Sequence, residues 1–98
     1  MANKQRGFVD IELDKARKLR YNLNALAELE DKLGTSLSDL DEDKMGVKQI
    51  RTFLWAGLIH EDPEITEQEV GEMVDFENME YINEKITEAF SKATKRKN

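Results

Sequence analysis

Asp39, Asp41 and Asp43 alternate with the spacing at which a calcium loop presents its first oxygen ligands. Such a loop also needs a glycine at its sixth position and a bidentate glutamate at its twelfth. Lys44 and Ile50 stand there instead, so the segment reads as a solvated acidic loop. His60, Glu61, Asp62 and Glu64 form a second group of potential donors. A zinc centre or a general base needs several such groups converging on one point. A single histidine in a chain without cysteine falls short of that, and His60, following an apolar helix, reads as a partner of its C-terminal dipole. The glycines at 7, 34, 46, 57 and 71 are too scattered to cradle a phosphate. The expectation is a protein with no catalytic residues, no metal and no cofactor.

Two charged residues interrupt apolar faces. Glu30 falls inside a leucine stripe and Arg51 inside the arc Val47, Ile50, Leu54, Leu58. Two readings are open: a structural ion pair between neighbouring helices, or two side chains solvated at the stripe edges. The surplus of apolar side chains is the stronger pointer to function. Phe53, Trp55 and Ile59 exceed what one helix pairing would cover, and Met73, Phe76 and Met79 gather at a helix junction. Methionine and aromatic side chains make adaptable contacts with a partner's amphipathic helix, so these six are the candidate partner-binding residues. The competing reading is ordinary core, which a small domain needs in full.

The elements that must position these residues follow from periodicity. Val9, Ile11 and Leu13 alternate with Asp10, Glu12 and Asp14, the pattern of a half-buried strand. Leu19 and Tyr21 suggest a second strand over 17–21 and hence a hairpin. Asn22 can cap a first helix with Leu23, Leu26, Ala27, Leu29 and Leu33 on one side, closed by Gly34. A polar connection follows, with a short helical turn at 37–40. The second helix runs from Gly46 to before Pro63, and its wide apolar arc places it at the centre. Thr66 and Glu69 form a capping box and Ile65 and Val70 a hydrophobic staple for a third helix, with Val70, Met73 and Val74 facing inward. Gly71 within it suggests a close contact. A last helix from Asn78 carries a stripe of Met79, Ile82, Ile86, Ala89, Phe90 and Ala93. The fold class expected is mainly α (α+β): an N-terminal strand or hairpin followed by about four helices around a central one. One globular domain over 8–94 is expected, with a flexible start at 1–7 and a basic end at 95–98.

Composition narrows the partners. The chain has 98 residues, no cysteine and a formal charge of −6. That charge divides into +3 over residues 1–20, −13 over 21–90 and +4 over 91–98. The acidic body would repel a phosphate backbone, and a helix-turn-helix drawn over 66–90 would put Glu80, Glu84 and Glu88 toward DNA. The basic end reads as a complement to the last helix's dipole. The longest apolar run, Phe53 to Ile59, is far short of the roughly 20 residues that span a membrane, and no signal peptide is evident. We therefore expect a cytoplasmic protein that uses no nucleic acid, membrane or small-molecule substrate.

Taken in order, the segments resemble a known family. Arg17–Gly34 (RKLRYNLNALAELEDKLG) resembles the opening of small tail assembly chaperones of long-tailed bacteriophages and prophages. The likeness continues through Ile50–Pro63 (IRTFLWAGLIHEDP) and Ile65–Asp75 (ITEQEVGEMVD), and covers about residues 8–90. It rests on core and cap residues, without a catalytic signature. The resemblance implies a protein that coats the tape measure protein during tail morphogenesis, keeps it soluble, helps recruit tail tube protein, and then leaves. It also implies self-association along that substrate, a possible homo-oligomer. Two other classes stay open: a structural tail component retained in the virion, and a small acidic adaptor domain.

Overall fold

A computed structural model describes residues 8–39 and 46–94. The expected start at 1–7 and basic end at 95–98 lie outside the described residues, as do Asp41, Asp43 and Lys44 of the acidic loop.

The chain opens with an antiparallel hairpin, β1 (Phe8–Glu12) and β2 (Ala16–Arg20), in which Val9 pairs with Leu19 and Ile11 with Arg17. Period-two alternation buries Val9, Ile11 and Leu19 on one face and leaves Asp10 and Glu12 in water. Helix α1 (Leu23–Leu33) follows. Asn22 accepts the Ala25 amide at its start, and Gly34, at φ 72°, ends it with its amide on the Glu30 carbonyl. A 3-10 turn (Leu37–Asp39) precedes α2 (Val47–Leu58), the short α3 (Glu67–Gly71) and α4 (Met79–Thr94).

Helix α2 is the hub and touches β2, α1, α3 and α4. Ile50, Phe53, Leu54, Ala56 and Leu58 are all buried, because a helix with neighbours on several sides has almost no solvent face. Gly57 lets it lie directly on the hairpin: a Cβ there would stand 2.8 Å from Leu19 Cδ2 and 3.0 Å from Tyr21 Cζ. Helix α4 also packs against both strands of the hairpin and against α2, with Ile82, Ile86 and Ala89 buried.

Three expectations about faces change. Leu23 is 80% exposed and Ala27 is exposed, while Ala25 is buried with Leu29. The inward face of α1 is thus rotated toward Ala25, whose small side chain suits close packing. Val47, expected on the centre line of α2, is 63% exposed in its first turn, ahead of the packed region. The third helix closes early, with Glu72 as its C-cap, and Met73 and Val74 belong to the turns that follow, half-buried rather than helical. The capping box is as expected: Thr66 Oγ1 accepts the Glu69 amide, and Glu69 Oε1 accepts the Thr66 amide.

Candidate functional site

The six apolar candidates separate into side chains that hold the fold and side chains that face outward. Phe53 belongs to the first group. It is 3% exposed, and its ring meets those of Tyr21 and Phe90 edge-on at centroid distances of 6.3 and 5.4 Å. The buried Tyr21 hydroxyl donates to the Phe53 carbonyl, and burial pushes the Tyr21 phenol far above its ordinary pKa. Its assignment to a partner surface is therefore corrected: it fills the space where hairpin, α2 and α4 meet. Trp55 is half-buried and tied down on two sides. Its indole nitrogen donates to the Ile65 carbonyl at 3.0 Å, and Lys32 lies over its ring at 5.1 Å. Ile59, the half-buried C-cap of α2, lines a shallow depression with Asn22, Glu28 and His60.

Phe76 is 90% exposed. It sits in a turn that its neighbours lock. Asp75 Oδ1 accepts the amides of Glu77 and Asn78, Asn78 Oδ1 accepts the Asp75 amide, and Asn78 Nδ2 donates to the Met73 carbonyl. The aromatic ring is thus presented on a fixed backbone rather than on a slack loop. Met73 and Met79, on either side in sequence, are half-buried against the core.

Met73 also lines a cleft between the hairpin turn and α3, with Leu13 and Ile65 as its other apolar walls. Four carboxylates, Asp14, Asp62, Glu69 and Glu72, share that lining. Its single cation is Arg17, 8% exposed, whose guanidinium grips Asp14 through Nε–Oδ1 at 2.7 Å and Nη2–Oδ2 at 3.0 Å. Asp62 adds a looser contact at 3.7 Å. The hydrogen bond to Arg17 holds the Asp14 carboxyl below the ordinary range, and the same bond raises Arg17. Arg17 is thereby neutralised, and the cleft keeps an excess of negative charge. The wider surroundings reinforce this, since residues 52–84 contain ten Asp and Glu and no Lys or Arg.

Glu30 and Arg51 do not pair. Glu30 Oε2 accepts the Leu37 amide at 2.8 Å, capping the 3-10 turn, which gives the carboxylate the partner its position in the stripe requires. Arg51 is half-buried, with its Cδ 3.2 Å from where a Cβ on Gly71 would stand, and its Nε has no hydrogen-bond partner. Gly71 thus makes the close contact its position suggested, against the stem of Arg51. His60 reaches away from the end of α2: its Nε2 meets the Lys18 carbonyl at 2.8 Å, so it ties helix to hairpin instead of complementing the dipole. Asp39 closes the 3-10 turn, its amide on the Ser36 carbonyl.

Among the described residues no group of His, Asp or Glu is arranged to hold a metal ion. None of their helices is long and apolar enough to cross a membrane. Leu23 and Val47 are exposed apolar residues that sequence reasoning assigned to the interior. Their positions immediately after a helix N-cap were the available signal, because a first-turn residue often lies beyond the packed face. Comparison of the chain with protein-family models, with curated proteins and with solved structures finds no match.

Proposed function

We propose that this protein is a non-catalytic tail assembly chaperone of a long-tailed bacteriophage or prophage, which binds and solubilises the tape measure protein during tail morphogenesis. The observation that carries the reading is a 90% exposed phenylalanine on a hydrogen-bonded turn, three residues beyond Met73 of a cleft lined by both apolar and carboxylate side chains. A long helical substrate with apolar faces aggregates unless those faces are covered. A chaperone for it needs an apolar contact surface and a charged exterior that keeps the complex dispersed. Phe76 and Met73 offer the first, and the net charge of −6 offers the second. The resemblance supplies the identity of the substrate and of the second partner, the tail tube protein, in the bacterial cytoplasm. Release needs no bound nucleotide, since tube subunits that bind the same substrate displace a chaperone by mass action.

The test is co-expression with the tape measure protein of the phage or prophage that carries this gene, scored by solubility and co-purification. Tape measure protein that stays soluble and elutes with this chain supports the reading. Indifference of the tape measure protein refutes it. Recovery of the chain in purified virions would replace the transient chaperone by a retained tail component.

A further inference from the structure

We infer that the exposed Phe76 turn, which follows the cleft-lining Glu72 and Met73 in the chain, docks together with that cleft a positively charged amphipathic helix, one whose apolar stripe is flanked by lysine or arginine. The inference rests on the chaperone reading for its occupant and adds the chemistry by which that occupant is selected.

The cleft is lined by Leu13, Ile65 and Met73 together with Asp14, Asp62, Glu69 and Glu72. Its lone guanidinium is consumed by Asp14 and Asp62, so it neither repels a cation nor attracts an anion at full strength. Beyond Glu72 the acidic character continues through Asp75, Glu77 and Glu80, with Phe76 standing in the middle. Asp75 spends its Oδ1 on the turn, whereas Glu72, Glu77 and Glu80 are exposed. Clustered carboxylates raise one another's energy, and a partner's cations relieve that repulsion on binding. A neutral or acidic helix would gain the apolar contact alone. A nucleic acid would be repelled outright. The turn's hydrogen bonds fix the backbone that carries Phe76 before binding, so little backbone entropy is lost when it docks. Apolar anchor and carboxylates therefore act together: Phe76 supplies affinity, and the carboxylates select the partner's charge and speed encounter.

The experiment uses the full chain, labelled with nitrogen-15, and two synthetic 20-residue amphipathic peptides. Both share one leucine stripe; lysine flanks it in one and glutamate in the other. Amide shifts are followed during titration. The lysine peptide is expected to move Leu13, Met73 and the 75–78 turn, and the glutamate peptide to bind at least about tenfold more weakly. Phe76→Ala is expected to weaken the lysine peptide roughly tenfold, as loss of a central aromatic anchor does. The double variant Glu72→Gln, Glu77→Gln should flatten the salt dependence while leaving thermal stability unchanged. Equal binding of both peptides, shifts centred elsewhere, unaltered affinity in Phe76→Ala, or no binding at millimolar peptide would each overturn the inference. Shifts of the 75–78 turn on dilution of the protein alone would overturn it in favour of a second copy. The outcome is separable from the functional reading. If the tape measure protein co-purifies equally with Phe76→Ala, the chaperone stands and this surface falls. If the lysine peptide binds as described while the tape measure protein is indifferent, the surface stands and the chaperone falls.

Discussion

Replacing Gly57 with alanine would place a methyl group 2.8 Å from Leu19 Cδ2 and 3.0 Å from the ring of Tyr21. Carbon atoms rest about 3.5–4.0 Å apart, so the new contact is short by roughly 1 Å. Neither neighbour can yield cheaply. Leu19 is 0% exposed, and Tyr21 is tied by its hydroxyl to Phe53 and held edge-on by Phe53 and Phe90. Helix α2 would have to lift off the hairpin or Leu19 leave its rotamer, and overpacking of this kind costs about 1–3 kcal/mol. Alanine returns up to about 1 kcal/mol in helix propensity. With two clashing neighbours held in place the overpacking cost falls in the upper part of its range, about 2–3 kcal/mol, so the expected net loss is about 1–2 kcal/mol. In urea, at a slope of about 1 kcal/mol per molar for a small domain, the midpoint should fall by roughly 1–2 M with the slope unchanged. Gly71→Ala is the internal control. Its nearest neighbour is the Cδ of the Arg51 side chain at 3.2 Å, which can shift, so its midpoint should stay within about 0.5 M of the parent. A Gly57→Ala midpoint equal to or above the parent's would refute the close approach of helix and hairpin on which this reasoning depends.

Further outcomes follow from the caps and the titrating groups. Gly34→Ala should destabilise by about 1 kcal/mol in the same assay, because φ 72° is strained for any residue with a Cβ. Thr66→Ala should cost a similar ~1 kcal/mol by removing the oxygen that accepts the Glu69 amide. The Asp14 carboxyl is held below its ordinary 3.8 by Arg17, so its contribution is whole above that value and is lost as pH falls through the depressed one. Urea midpoints measured from pH 5 down to 2 should show Asp14→Asn with a shallower acid decline than the parent. The Tyr21 phenol is raised from an ordinary value of 10.0, so stability is whole below pH 10 and falls as pH rises beyond it. Tyr21→Phe should remove most of that alkaline loss in thermal melts between pH 9 and 11.5.

The legible parts of the sequence were those decided within a few residues. The alternation at Val9 and Ile11, the Asn22 and Gly34 caps and the reciprocal Thr66–Glu69 bonds depend on local geometry, and each is found in place. The breadth of the apolar arc on α2 also told correctly that it lies among several neighbours. What composition could not decide was which members of a wide apolar set lose their water. Phe53 and Phe76 are the same residue type, and both were offered as partner-binding side chains, although Phe53 opens an apolar run and Phe76 stands between two acidic residues. One is 3% and the other 90% exposed, because the hairpin and α4 close over Phe53 and nothing among the described residues folds back over the turn at 75–78. Spacing alone put Leu23 and Ala27 on the inward stripe of α1, whereas the helix is rotated so that Ala25 is buried with Leu29. Glu30 was open to an ion pair with Arg51 or to solvation at the stripe edge, and it does neither. The partner is a backbone amide seven residues on, at Leu37, and an amide carries no sequence signal. The Arg17–Asp14 grip was hidden in the same way, since its geometry arises from a turn that lacks the usual glycine signals.

A two-stranded sheet has two open margins, and each offers a row of backbone groups on which a foreign strand can crystallise. In an antiparallel ladder alternate residues turn both groups outward. Lys18 and Glu12 belong to that outward set: the Lys18 carbonyl is engaged by His60, at the end of α2, and the Glu12 amide by the Tyr81 hydroxyl of α4, at 2.8 and 2.9 Å. Each margin therefore has a stopper driven into it, one from either flanking helix. A strand arriving at either side meets a ladder with a rung already taken and must evict a side chain before it can zip. If the proposed chaperone reading holds, this works as a quarantine: the protein could hold a long, aggregation-prone client without templating the client's collapse onto itself. Loss of both stoppers, in a His60→Ala, Tyr81→Phe chain, would leave the protein folded but newly prone to grow fibrils.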